Sequence, residues 1–248
     1  NTGLVTRVST DSSGLQVSGA SGGGDSIFLP LNFSPDGTKI AFVSNAPNLV
    51  ADDTIRNWDI FVKDLNSGLV TRVSTDSNGV EGNEDSYSPV FSPDGTKIAF
   101  ASNAANLVAG DTNGTYDIFI KDLNTGLMTR VSTDSNGLQG NNTSYRTPMF
   151  SPDGTKIAFT SAANLAVGDN NSYADCFVKD LNTGLVTLVS INNDGVQGNS
   201  DSGSYDPRFS PDGTKVVFWS NATNLVAGDT NGVEDIFVKD LNSGLITR

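Results

Sequence analysis

The stretch Pro89-Val90-Phe91-Ser92-Pro93-Asp94-Gly95-Thr96-Lys97-Ile98-Ala99-Phe100 decides the fold of this chain. A short apolar run stops at Ser-Pro-Asp-Gly and resumes as Lys-Ile-Ala-Phe. Proline presets φ, aspartate caps the turn and glycine accepts positive φ, so two short strands are joined tightly. The string Ser-Pro-Asp-Gly-Thr-Lys begins at Ser34, Ser92, Ser151 and Ser210, at spacings of 58, 59 and 59 residues. A second string, Asp-(Ile/Cys)-Phe-(Val/Ile)-Lys-Asp-Leu-Asn-(Ser/Thr)-Gly, starts at Asp59, Asp117, Asp175 and Asp235. A third, Gly-Leu-(Val/Met/Ile)-Thr, starts at Gly3, Gly68, Gly126, Gly184 and Gly244. The chain is one unit written four times.

Each unit reads as four strands. Strand a ends at Phe33, Phe91, Phe150 or Phe209; strand b is Lys-Ile-Ala-Phe or Lys-Val-Val-Phe; strand c is Asp-Ile-Phe-Val-Lys; strand d is Leu-Val-Thr-Arg-Val-Ser. In strand c, Ile and Val point one way and Phe and Lys the other. No stretch has a helical period. Four-stranded antiparallel units in tandem bury both faces only by stacking around an axis, which predicts an all-β fold, a β-propeller. Its four blades centre on turns 34–37, 92–95, 151–154 and 210–213, in a single domain over 1–248. A d strand, Gly3 to Ser9, precedes the first a strand, and another copy closes the sequence at Gly244 to Arg248. In a ring, the first d completes the last blade and latches the circle. Both copies together are one strand too many, so either one is displaced or the chain is a piece of a longer array. The start at Asn1, without Met, suggests processing or truncation.

Composition narrows function. The 248 residues carry 15 basic and 28 acidic side chains, a formal charge of -13 and no histidine. That acidity argues against nucleic acid and against an anionic membrane surface. Apolar runs are too short to insert in a bilayer. Without histidine there is no Ser-His-Asp triad, no imidazole zinc site and no proximal haem ligand. The lone Cys176 forms no intrachain disulfide and, standing where Ile60, Ile118 and Ile236 stand elsewhere, reads as a buried small hydrophobe. The acids are 25 Asp against 3 Glu, with 26 Asn and 26 Gly, a composition of turns.

The long connections are b-to-c (Ser102 to Tyr116) and d-to-a (Thr75 to Ser86), and both emerge on one rim. Functional residues favour such loops. The b-to-c loops repeat Asp-x-Asn-x-x-x-Asp as Asp111, Asn113, Asp117; Asp169, Asn171, Asp175; and Asp229, Asn231, Asp235; the first blade keeps Asp53 and Asp59 around Ile55. Oxygen ligands at positions one, three and seven on a Gly-containing turn suit Ca²⁺. The same residues also suit Asx turns, and both readings stand. Ile55 makes the first blade the weakest expected binder. The d-to-a loops, Ser74 to Asn83, Ser132 to Asn141 and Ser190 to Asn199, read as ordered turns or as a polar ligand surface, with a flexible divergent copy at Gly19 to Gly24.

The remaining residues fit supporting roles. All eight lysines fall in two repeat positions, Lys39, Lys97, Lys156, Lys215 and Lys63, Lys121, Lys179, Lys239, and read as edge-facing or solvated. Tyr87, Tyr145 and Tyr205 recur at the start of strand a, near the central channel, with Ile27 in the first copy. Trp58 and Trp219 occupy unmatched positions and read as packing residues, so no sugar-binding Trp ladder is present. The residues that break symmetry, Asp25, Glu84, Arg146, Asp201 and Arg208, form no recognisable site. A carboxylate-only glycosidase or lyase would break the symmetry that these Asp residues keep.

The pattern Pro-x-Phe-Ser-Pro-Asp-Gly-Thr-Lys-Ile-Ala-Phe followed by Asp-Ile-Phe-Val-Lys-Asp-Leu resembles the WD-like propeller repeat of bacterial Tol-system periplasmic proteins and their secreted relatives, over nearly the whole chain. Gly-Asp-Thr-Asn-Gly-x-x-Asp is similar to the cation loops of integrin-type propellers, shortened by two residues. The resemblance implies a non-enzymatic binding platform, exported to the periplasm, surface or medium, that takes a protein or glycan partner on its long-loop face. A lectin and a carboxylate-based hydrolase or lyase are the competing expectations.

Overall fold

The computed structural model describes residue 3, residues 5–22 and residues 31–248. Among them no helix occurs, and every regular element is a strand. Blade 1 holds β1 (Asn32–Phe33), β2 (Lys39–Ser44), β3 (Asp59–Asp64) and β4 (Val70–Arg72). Blade 2 holds β5 (Ser86–Phe91), β6 (Lys97–Ser102), β7 (Asp117–Asp122) and β8 (Met128–Arg130). Blade 3 holds β9 (Ser144–Phe150), β10 (Lys156–Ser161), β11 (Asp175–Asp180) and β12 (Val186–Leu188). Blade 4 holds β13 (Arg208–Phe209), β14 (Lys215–Ser220), β15 (Asp235–Asp240) and β16 (Ile246–Thr247). Each blade is an antiparallel sheet in chain order, so the expected propeller blades are present.

The Ser-Pro-Asp-Gly turn closes by three bonds to its own residues. In blade 2, Gly95 N–H donates to Ser92 O at 2.8 Å, Ser92 Oγ to Asp94 Oδ1 at 2.6 Å and Thr96 N–H to the same Oδ1 at 3.0 Å. Gly95 has φ 71°, which only glycine adopts without strain.

Alternation in strand c supplies two different faces. One face of blade 1, Ala41, Val43, Ile60 and Val62, packs on Phe91, Ile98, Phe100 and Phe119 of blade 2. The same arrangement joins blade 2 to blade 3 and blade 3 to blade 4. The Phe residues of strands b and c stand opposite each other, as Phe100 and Phe119 do, with ring centroids 5.9 Å apart. Burying one such ring stabilises by roughly 1.5–3 kcal/mol, so the apolar seams between blades dominate cohesion.

The lysines of strand c correct the solvated reading. Lys63, Lys121, Lys179 and Lys239 are buried. Lys121 Nζ donates to Thr75 O at 3.1 Å, Thr75 Oγ1 at 2.9 Å and Asp76 O at 2.7 Å in the loop leaving the previous blade. Lys179 repeats this on Thr133 and Asp134, and Lys63 on Thr10 and Asp11. Lys121 and Lys179 staple neighbouring blades, and Lys63 ties blade 1 to the segment that precedes it. Desolvation pushes these amines down, Lys179 to about 8.

The first d copy does not latch blade 4. Blade 4 carries its own fourth strand, β16. Residues 5–9 join no ladder, while Val8 and Val17 pack on blade 1 beside Phe42 and Phe61. In the two end blades Phe33 is 63% exposed and Ile236 52%, while Ile40, Phe42 and Phe61 of blade 1 are buried beside Val8 and Val17. The glycine-rich copy is more ordered than expected as far as Gly22, because Ala20 N–H donates to Asn45 Oδ1 at 2.9 Å and Gly22 N–H to Val43 O at 2.8 Å. Gly23, Gly24, Asp25 and Ile27 lie outside the described residues.

Candidate functional site: the acidic clusters of the long-loop rim

Strand c starts at the seventh-position Asp, which places that carboxylate where the b-to-c loop meets the sheet. Asp59, Asp117 and Asp175 are fully buried there. A serine just beyond strand d ties each one down. Ser74 Oγ donates to Asp59 Oδ1 at 2.6 Å, Ser132 to Asp117 at 2.5 Å and Ser190 to Asp175 at 2.5 Å. Each serine also accepts the next strand-c amide, as from Ile118 N–H at 3.0 Å.

The first-position Asp lies beside it. Gln139 Nε2 donates to Asp111 Oδ1 at 2.8 Å and to Asp117 Oδ2 at 3.3 Å, and Gln197 Nε2 to Asp169 Oδ1 at 2.8 Å and Asp175 Oδ2 at 2.6 Å. The third-position Asn is set differently. Asn113 Oδ1 accepts Thr115 N–H at 3.1 Å and Asn171 Oδ1 accepts Tyr173 N–H at 2.8 Å, which are Asx-turn bonds, while their amide nitrogens reach Gly140 O and Gly198 O. Asn231 Oδ1 likewise accepts Val233 N–H at 3.3 Å, and its amide donates to Asp235 Oδ2 at 2.9 Å. The structure thus brings positions one and seven together, and turns the Asn oxygens into the loop backbone.

Two residue types missed in the sequence complete the clusters. One is the Gln or Glu of the d-to-a loop, Glu81, Gln139 and Gln197. The other is the arginine of strand d. Arg130 Nη1 lies 3.3 Å from Asp111 and 3.4 Å from Asp117, and Arg248 Nη1 lies 2.8 Å from Asp229 and 3.2 Å from Asp235. In blade 3 this position is Leu188, so Asp169 and Asp175 are bridged by Gln197 without an arginine. The signal was in the repeat: Thr-Arg in the d strand recurs with the Asp pair in blades 1, 2 and 4, and Gln or Glu sits two residues after Asn-Gly or Asp-Gly.

Blade 1, where Ile55 stands in place of the Asn, holds the richest cluster of carboxylates. Carboxylate oxygens of Asp53, Asp59 and Glu81 all lie within 4.8 Å of one another, the single group of three or more metal-ligating side chains among the described residues. Arg72 Nη1 pairs with Glu81 and sits 3.6 Å from Asp53 and 3.8 Å from Asp59. Asp53 Oδ1 and Asp59 Oδ2 are buried without a hydrogen-bond partner. Three carboxylates against one guanidinium leave an excess of negative charge, and this donor set fits a hard, oxygen-seeking cation. Burial raises Asp59 to about 7, against the Ser74 bond and Arg72, and raises Asp53 to about 6. Burial likewise raises Asp111, Asp117 and Asp169, and takes Asp175 to about 7.

The other singled-out residues have structural places. Tyr87 donates to Asp85 at 3.0 Å and packs with Trp58 on the seam between blades 1 and 2; Tyr205 lies 5.2 Å from Trp219. Asp201 accepts Ala174 N–H at 2.8 Å, the counterpart of Asp85 with Trp58 at 2.9 Å, so it is a loop tie. Arg146, at φ 72° in a bulge of β9, lies over Tyr145 at 5.4 Å; Glu84 and Arg208 are exposed. Cys176 is buried with its thiol pushed up by desolvation. The d-to-a loops are tied to the b-to-c loops by paired asparagines, as Asn83 N–H to Asn106 Oδ1 and Ala105 N–H to Asn83 Oδ1, both 2.9 Å.

Solved structures of propeller proteins share this blade plan. TolB from Acinetobacter baumannii superposes with a TM-score of 0.54 at 23% identity, covering 88% of this chain and 42% of that one. The fold is that of the TolB-type propeller. No protein-family model matches the chain. Among curated proteins, dipeptidyl-peptidase 5 of Porphyromonas gingivalis is 37% identical over 101 residues, 41% of this chain and 14% of that protein. The uncharacterized peptidase YuxL of Bacillus subtilis is 27% identical over 235 residues, 83% of this chain and 31% of that protein. The chain therefore spans less than a third of each curated relative it matches. Both relatives are peptidases by name, and this corrects the expectation of a non-enzyme. Oligogalacturonate lyase from Vibrio parahaemolyticus also superposes, with a TM-score of 0.60 at 15% identity, covering 98% of this chain and 55% of that one.

Proposed function

We propose that this chain is the polypeptide-binding propeller of an exported bacterial peptidase, with its long-loop rim as the contact face and calcium ordering the acidic loops. The match of 235 residues to a peptidase carries this reading. A histidine-free chain with a buried cysteine has no Ser-His or Cys-His pair of its own, so its part in such an enzyme is to bind and orient substrate. The rim supplies asparagine-clasped loops with exposed backbone and acidic groups, a surface suited to extended or basic polypeptide. No helix among the described residues is long and apolar enough to cross a membrane. The likeness of the fold to TolB supports export.

Binding of fluorescent peptides by anisotropy tests the first half. Micromolar binding of cationic peptides, weakened by rim substitutions such as Asp52→Asn, is the expected outcome; binding of oligosaccharides but no peptide replaces the reading with a lectin. The calcium half is tested by thermal melts in chelator and in millimolar calcium. Stabilisation by a site at a hundredfold excess over Kd is about 2.7 kcal/mol. Glu81→Gln should remove most of it, since blade 1 alone has the third carboxylate. An unchanged midpoint leaves the loops as Asx turns.

A further inference from the structure

Three of the four rim clusters contain their own guanidinium, and the cluster of blade 3 does not. In blade 2, Arg130 reaches from strand d to the b-to-c loop, with Nη1 3.3 Å from Asp111 and 3.4 Å from Asp117, and Nη2 donating to Gly110 O at 3.3 Å. In blade 1, Arg72 Nη2 donates to the matching carbonyl of Asp52 at 2.8 Å, and in blade 4 Arg248 Nη1 lies 2.8 Å from Asp229. Blade 3 keeps the same acceptors, Gly168 O, Asp169 and Asp175, but has Leu188 at the arginine position. Among the described residues no ion pair reaches Asp169 or Asp175. Gln197 does not fill the place of the arginine, because Gln139 makes the same bridge in blade 2 beside Arg130. Where the arginine is missing, a cleft of about 550 Å³ lies between strand d, the b-to-c loop and the preceding d-to-a loop, lined by Leu185, Leu188, Val167, Ile191, Gly168 and Asp134 among others. Two further repeat positions turn more apolar here: Val167 stands for Ala51, Ala109 and Ala227, and Ile191 for Thr75 and Thr133. Blades 2 and 4 cover blade 3 on both sides, so the cleft belongs to the interior of the array.

We propose that blade 3 takes an arginine side chain of a bound polypeptide, which enters this cleft and pairs with Asp169, Asp175 and Gly168 O as Arg130 pairs with Asp111, Asp117 and Gly110 O. The proposal rests on the polypeptide-binding reading of the rim and names the side chain that the rim recognises. The chain's own arginines display the mode of binding in the other three blades. A guanidinium offers five N–H donors in one plane, which suit two carboxylates and a carbonyl together, whereas an ammonium is a compact point charge and suits them less well. The aliphatic stem of the incoming arginine lies along Leu188, Ile191 and Val167, as long basic side chains do on apolar surface. Asp134 in the cleft wall and the chain's charge of -13 favour a basic ligand on approach.

Titration calorimetry on the whole chain, in chelator, tests the site with capped pentapeptides whose central residue is arginine, lysine or citrulline. Wild type should bind the arginine peptide at one site, and the other two at least about tenfold more weakly. Leu188→Arg fills the site with the chain's own guanidinium and should lose at least about tenfold in affinity, with unchanged circular dichroism. Asp169→Asn should lose a similar factor. Arg130→Leu vacates the matching place in blade 2 and should raise the stoichiometry from one to two. Binding that shows no arginine preference and is unchanged in Leu188→Arg overturns the site, and leaves the rim a general polypeptide binder. Failure of the arginine peptide to bind overturns it too, and binding of other cationic peptides by anisotropy then decides the wider reading separately. If acetylarginine amide binds at Asp169 as tightly as the peptide, and longer peptides gain nothing, the guanidinium site stands and the polypeptide reading falls.

Discussion

Lys121 shows how much one residue carries in this molecule. Its ammonium is buried and bonded to three oxygens of the neighbouring loop. Lys121→Met leaves those acceptors without a donor and should cost about 2 kcal/mol, the scale of hydrogen bonds to a charged group. Lys97→Met, at a half-exposed position with a loose 3.9 Å contact to Asp122, should change the denaturant midpoint very little. The turn aspartates set the acid limit. Asp36, Asp94, Asp153 and Asp212 are held at about 2, below the ordinary 3.8, by the serine hydroxyls and then the threonine amides that donate to them. Folded-state values below the unfolded value mean stabilisation that is fully present above about pH 4 and lost as pH falls through 2. Lys179 is lowered by desolvation to about 8, so the unfolded chain binds the extra proton and stability rises from pH 8 towards 10. Melts across pH 2–5 and 8–10 check both arms; a flat acid arm contradicts the turn assignment.

Among elements, the d strand decides the character of each rim cluster. Blades 1, 2 and 4 answer their Asp pair with Arg72, Arg130 and Arg248, and blade 3 with Leu188. Leu188→Arg should therefore supply the missing partner for Asp169 and Asp175 and raise the melting midpoint by a few degrees near pH 8, in chelator. Arg130→Leu should lower it by a similar amount. A lowered midpoint for Leu188→Arg together with a raised one for Arg130→Leu would show that burying the guanidinium costs more than its pairing returns. The strand plan itself was legible, since the Ser-Pro-Asp-Gly turns and the alternation in strand c each state a local geometry. The rim clusters were half legible. Asp59, Asp117 and Asp175 were found because they recur, whereas Glu81, Gln139, Gln197 and the arginines come from another loop and another strand. No spacing along the chain announces a contact made across a blade. The buried lysines were misread for the same reason, because their partners belong to the preceding repeat.

Across the whole molecule, stability lies in three repeated seams. Phe119→Ala, at the centre of the seam joining blades 1 and 2, should cost about 3–5 kcal/mol. The same change at Phe33, which is exposed, should cost far less in isolated protein. Ring closure could not be read from four repeats, since it depends on accumulated rotation and not on any one unit.

The near-identity of the units has a kinetic side. Gly3 to Thr10 and Gly68 to Thr75 are the same eight residues, so β3 has two equivalent candidates for its outer neighbour, and neighbouring blades offer close variants. A chain collapsing from denaturant meets these segments at similar distances and similar energies. Productive pairing then competes with strand exchange between repeats, a route into long-lived misassembled species. Refolding should show a slow phase whose amplitude shrinks when Val5→Pro spoils the first segment as a strand. It should shrink too when folding proceeds from the N-terminus, one repeat at a time, as during synthesis.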